Sequence, residues 1–98
     1  MEKLVKISGG GQIVEFISNA KPGTILLIRR SLASSVVPKT CLVVFERYTK
    51  EIGHCMVSES TRDSSVIYLS DIIWIAEVPV SDLVYAMNQV LETSSPFN

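Results

Sequence analysis

Three stretches of this chain are apolar without interruption: Ile25 to Ile28, Cys41 to Phe45 and Ile72 to Ala76. Their β-branched and aromatic content, with Gly, Pro, Ser or Asp at their borders, is the texture of strands. A strand with one face in water alternates apolar and polar residues, because successive side chains point to opposite faces. These strands do not alternate. Whatever sheet they form must therefore be covered on both sides, which is a demanding condition for a chain of 98 residues.

From Thr24 onward five strands are predicted: TILLIRR, TCLVVFERY, HCMVSE, SVIYL and IIWIAEV. Tyr48 to His54 reads as a hairpin connection, with Gly53 placed to take a positive φ, so the second and third strands are expected to be antiparallel neighbours. If Thr49 pairs with His54, one face carries Leu42, Val44, Tyr48, Cys55 and Val57, and the other Cys41, Val43, Phe45 and Met56. SLASSVVPK between the first two strands reads as a loop, and STRDS as a short polar turn.

Helices are predicted at both ends. Leu4 to Ser8 reads as a short strand, followed by a glycine loop and then by Gln12 to Ala20, where Ile13, Phe16, Ile17 and Ala20 make one apolar helical stripe. Pro22 disfavours helical geometry at Lys21 and ends the element. A hairpin joining LVKIS to QIVEFI across the glycines is the alternative. After Pro79, Ser81 is placed as N-cap, Asp82 lies near the positive end of the dipole, and Tyr85 is positioned to staple onto Val80. Leu83, Met87, Val90 and Leu91 form the expected buried stripe, Asn88 and Glu92 the outer face, and the helix frays by Thr93.

The fold class expected is α+β: a small five-stranded, mainly antiparallel sheet, or an SH3-like or Sm-like barrel, with a short N-terminal helix and a C-terminal helix. The order helix, five strands, helix resembles that of small SH3-like or Sm-like barrels. The Asp and Asn of the first Sm loop and the Arg-Gly of the second are lacking, so no site is carried across. One globular domain is expected over 1–93, with 94–98 as a flexible tail, because the length suits one core. Two short helices cover one face of a small sheet, which leaves the other to barrel closure or to another subunit. A homo-oligomer is therefore expected, and a two-fold dimer first.

An apolar content of 47% with 19% charged residues excludes disorder. No run approaches the roughly 20 apolar residues needed to span a bilayer, so no membrane role is expected. The first residues, MEKLVKISGGG, contain no apolar secretory segment, and Cys41 and Cys55 are too few for a disulfide scaffold. The cytoplasm is the expected compartment.

The net charge of −1 hides an asymmetry: residues 1–62 hold all nine Lys and Arg against five acids, while 63–98 hold five acids and no base. Either the fold interleaves the two halves, or it presents a basic and an acidic face. On the second view Arg29, Arg30, Lys39, Arg47, Lys50 and Arg62 are candidates for binding nucleic acid or another anion, although a pI near 5.7 weighs against it. Arg29 and Arg30, as neighbours on a strand, must point to opposite faces.

No catalytic residue is assigned. Ser8 and Gly9, Gly10 and Gly11 place backbone amides before a helix, a weak anion-loop signal that matches neither dinucleotide nor P-loop fingerprints. His54 and Cys55 face opposite sides of their strand and cannot form a dyad. One His and two distant Cys lack zinc-site spacing, so neither metal nor cofactor is expected. Asp71 reads as a turn residue rather than as half of a carboxylate pair with Glu77 or Asp82. Trp74 reads as core or interface, with no basic residue within ten positions to make it a stacking platform. The expected function is a non-enzymatic, self-associating binding module. The alternatives are a protein assembly module without nucleic acid, and a small anion-binding protein or enzyme using the Ser8–Gly11 loop.

Overall fold

A computed structural model describes residues 4–32, 35–49, 54–58 and 64–94. The chain forms β1 (Ile7–Ser8), α1 (Gly10–Asn19), β2 (Ile25–Leu32), β3 (Ser35–Thr49), β4 (His54–Ser58), β5 (Ser64–Tyr68), β6 (Ile72–Glu77) and α2 (Leu83–Ser94). Single 3-10 turns at Leu69–Asp71 and Val80–Asp82 lead into β6 and α2. The strands lie in the order β1-β6-β2-β3-β4-β5, with every ladder antiparallel. The fold is thus α+β, an antiparallel sheet with two helices. Among the described residues no ladder joins β5 to β1.

The glycines do not form a loop or a hairpin turn. Gly9 takes φ 92, outside the range of L side chains, and turns the chain from β1 directly into α1, where its carbonyl accepts the first helical bond from the Ile13 amide at 2.9 Å. Gly10 and Gly11 are already helical, so the helix starts two residues before the expected Gln12 and ends one residue early, at Asn19. The LVKIS–QIVEFI hairpin is excluded, because β1 pairs with β6 instead. Only Ile7 and Ser8 of the expected N-terminal strand are in a ladder. Pro22-Gly23 makes the expected turn, with Gly23 at φ 91 and its amide bonded to the Phe45 carbonyl at 2.8 Å.

The five principal strands fall where the sequence placed them, but two details differ. SLASSVVPK is mostly strand: β2 runs on to Leu32 and β3 begins at Ser35, with a bulge near Arg30. The β3–β4 hairpin does pair Thr49 with His54, yet a bulge between Phe45 and Arg47 shifts the alternation. Tyr48 consequently packs with the Phe45 side of the sheet rather than with Leu42 and Val44. Val57 is the register partner of Phe45 and Cys55 that of Tyr48, so their positions move to that side as well, while Met56 falls opposite Arg47 on the other.

Each helix takes one face of the sheet, and the α2 side is covered only in part. On the first, Ile13 and Ile17 of α1 pack against Leu26, Ile28, Val43, Phe45 and Ile75, with Ile67 of β5 drawn into the same cluster. On the second, Ala86 of α2 is buried with Leu27, Ala76, Val78 and Leu4. This replaces the expectation that both helices share one face: β1 and the tight turn at Gly9 carry α1 to one side, and Pro79 with its 3-10 turn carries α2 to the other.

Helix α2 is the element whose stripe differs most. Ala86 is fully buried, and Leu83, Tyr85 and Val90 are partly so, but Met87 and Leu91 are exposed. No side chain caps the turn at Val80–Asp82, whose N-cap is Pro79, and Val80 is exposed rather than stapled beneath Tyr85. The helix continues through Ser94, the first residue of the expected tail; 95–98 lie outside the described residues, as does Gly53. No helix among the described residues is long and apolar enough to cross a membrane.

Candidate functional site

The outer surface of α2 and the sheet beside it form the most distinctive surface of the described chain. Val80, Val84, Met87 and Leu91 are 77%, 72%, 49% and 67% exposed, and their 4-3-4 spacing places them along one ridge. The ridge borders a cleft of about 330 Å³ lined by Lys39, Thr40, Cys41, Leu42, Met87, Val90 and Leu91. Beyond the cleft the same sheet face is not covered by α2, and Val44, Val66 and Tyr68 are exposed on it. Their common side follows from register: Phe45 and Ile67, buried on the α1 side, are the strand neighbours of Val44 and of Val66 and Tyr68.

The candidate basic residues do not gather on one face. Arg29 lies on the α2 side of β2, where its Nη1 donates to the Thr40 hydroxyl at 2.8 Å; Arg30, its strand neighbour, lies on the α1 side opposite Lys39. Arg47 is exposed on the α2 side, in the row it shares with Met56 and Val66. Lys50 and Arg62 lie outside the described residues. Two strand faces thus divide the four described cations, as adjacent positions on paired strands must.

Trp74 packs partly against the α2-side cluster, as expected of a core or interface residue, but its surroundings are not free of bases. Lys6 Nζ stands 4.6 Å from the centre of the Trp74 ring, and Arg29 is the register partner of Trp74 on β2. A cation over an indole is an attractive contact. Sequence proximity could not show it, because Lys6 is 68 positions away and arrives only through the β1–β6 ladder.

Gly9, Gly10 and Gly11 sit at the exposed start of α1, with nothing within 4 Å of a side chain built at any of them. His54 pairs with Thr49, whereas Cys41 pairs with Ile28 and is buried in the α1-side core, so the ladder holds the two well apart along β3. Asp71 closes a 3-10 turn, the role expected of it. No group of three or more metal-binding side chains occurs among the described residues. Two carboxylates do meet at one cleft, but the companion of Glu77 is not Asp71: Glu15 of α1 and Glu77 of β6 line an open cleft of about 800 Å³ with Ile7, Phe16, Lys21 and Thr24. Only the packing of α1 beside β1 brings those residues together. No protein-family model matches the chain, and no curated protein sequence and no solved structure matches it either.

Proposed function

We propose that this chain is a self-associating binding module, whose contact surface is the outer ridge of α2 together with the sheet face beside it. The observation that carries this reading is the row Val84, Met87 and Leu91 on α2, with Val80 in the 3-10 turn before it: four large apolar side chains left in water beside a helix face that is already packed. Isolated apolar residues on a surface are ordinary, but a contiguous patch is the mark of an interface. Here the ridge borders the cleft, and Val44, Val66 and Tyr68 are exposed on the same face of the sheet. A two-fold homodimer is the simplest assembly that covers such a surface.

Size-exclusion chromatography with light scattering tests it directly. The expected mass at micromolar concentration is twice the 10.8 kDa of one chain. A strict monomer rejects the reading, and a monomer that co-purifies with a different protein in fixed proportion favours hetero-assembly instead.

A second reading, binding of a nucleic acid or another polyanion, draws on the Lys6–Trp74 contact and the adjacent Arg29. It predicts retention in a gel-shift assay that falls steeply with salt, and it fails if no retention is seen at low salt.

A further inference from the structure

Resting on the polyanion reading, we infer that the outer β2–β3 hairpin is a ribbon that enters the major groove of double-stranded DNA, with Arg29, Arg30 and Lys39 set against the phosphates at its rim. The hairpin projects from the sheet. Beyond Arg30, β2 has left its ladder with β6, which begins at Ile72 opposite that residue, and β3 meets β4 only from Val44 onward. Among the described residues the outer strands therefore pair only with each other, as far as Leu32 opposite Ser35. On this outer part Val36 is 100% exposed and Val37 60%.

Charge selects the partner. Residues 16–45 carry Lys21, Arg29, Arg30 and Lys39 and no acid, so the hairpin is positive although the whole chain is not. Arg30 and Lys39 oppose each other on the α1 side, a like-charge pair that gains from a counter-anion, and Arg29 stands on the α2 side. Both faces of the ribbon are thus positive at one level. A ribbon that enters a groove end first has a phosphate strand along each face, so cations divided between two faces are what this geometry requires. Asp71, next to Ile72, and Glu92, near the end of α2, belong to the body rather than to the hairpin, which keeps the contact local.

Dimensions select the groove. The major groove of B-DNA is about 12 Å wide and 8.5 Å deep and admits a two-stranded ribbon. Two residues of β2 separate the Arg30–Lys39 pair from the Leu32–Ser35 pair, a rise of about 7 Å. The cations therefore stand at the rim when the outer residues reach the floor, where thymine methyl groups suit an exposed valine such as Val36. The major groove of duplex RNA is deep and narrow, and the same ribbon does not fit it.

The test is fluorescence anisotropy of the full chain with a short DNA duplex and with the RNA duplex of the same sequence, over a range of salt. DNA should bind more tightly than RNA, with a slope of log affinity on log salt near −3, about −0.9 for each of three neutralised phosphates. Arg30→Gln with Lys39→Gln should bring that slope to about −1. Val36→Asp, at a fully exposed position that leaves the thermal midpoint unchanged, should weaken DNA binding by about tenfold, because it sets a carboxylate among phosphates. No binding of either duplex at low salt overturns the inference and the polyanion reading together. Binding whose slope is the same in R30Q/K39Q as in the parent leaves the polyanion reading standing and overturns the hairpin's part in it. RNA bound as tightly as DNA, or V36D binding like the parent, overturns entry into the groove.

Discussion

The two faces of this sheet are built from the same strands, yet one is closed by its helix and the other is not. On the α1 side, Ile13 and Ile17 share one buried cluster with residues of β2, β3, β5 and β6. On the α2 side, the twelve-residue helix lies chiefly against β3, with Leu27 and Ala76 in its buried cluster, and leaves Val44, Val66 and Tyr68 in water. The α1 side carries the larger buried cluster, and the α2 side keeps exposed apolar surface.

The largest expected effect breaks the closed side. Ile75→Ala removes a fully buried side chain from the α1-side cluster and should cost about 2–5 kcal/mol in urea denaturation. Ala86→Leu tests the other side, since Ala86 is fully buried where α2 meets the sheet; the added methylenes should cost about 1–3 kcal/mol by the same measurement. Equal or greater loss at Ala86 than at Ile75 would contradict a difference in packing between the two faces.

The entrance to α1 separates backbone from packing. Gly9→Ala should destabilise by about 1–3 kcal/mol because of its positive φ, although nothing lies within 4 Å of the added methyl group. Gly11→Ala, two residues on and helical, should instead stabilise by roughly 0.5–1 kcal/mol. The smallest effect sharpens the comparison from the open side: Val84→Ser should change monomer stability by less than about 0.5 kcal/mol while weakening association, as seen by thermal melts set beside sedimentation.

Much of this was legible in the residues. Continuous apolar runs located β2, β3 and β6 and required cover on both faces, and the Ile13, Phe16, Ile17, Ala20 spacing identified both α1 and its buried side. Single-residue offsets were not legible. The bulge between Phe45 and Arg47 moves Tyr48 to the other face without any Gly or Pro to announce it. The outward ridge of α2 was hidden for a related reason: Met87 and Leu91 are as apolar as residues that face a core, and Ala86, which does face it, carries the weakest hydrophobic signal of the helix.

The sequence by itself determined which segments are strands and helices, because local preference and apolar periodicity are properties of neighbours along the chain. Only the tertiary structure decided that α1 and α2 take opposite faces, that Lys6 stands over Trp74, and that the candidate cations are divided between two sides. Those facts depend on which strand pairs with which, and on a period of two that a single inserted residue inverts. Such pairings are settled by contacts between residues far apart in the chain.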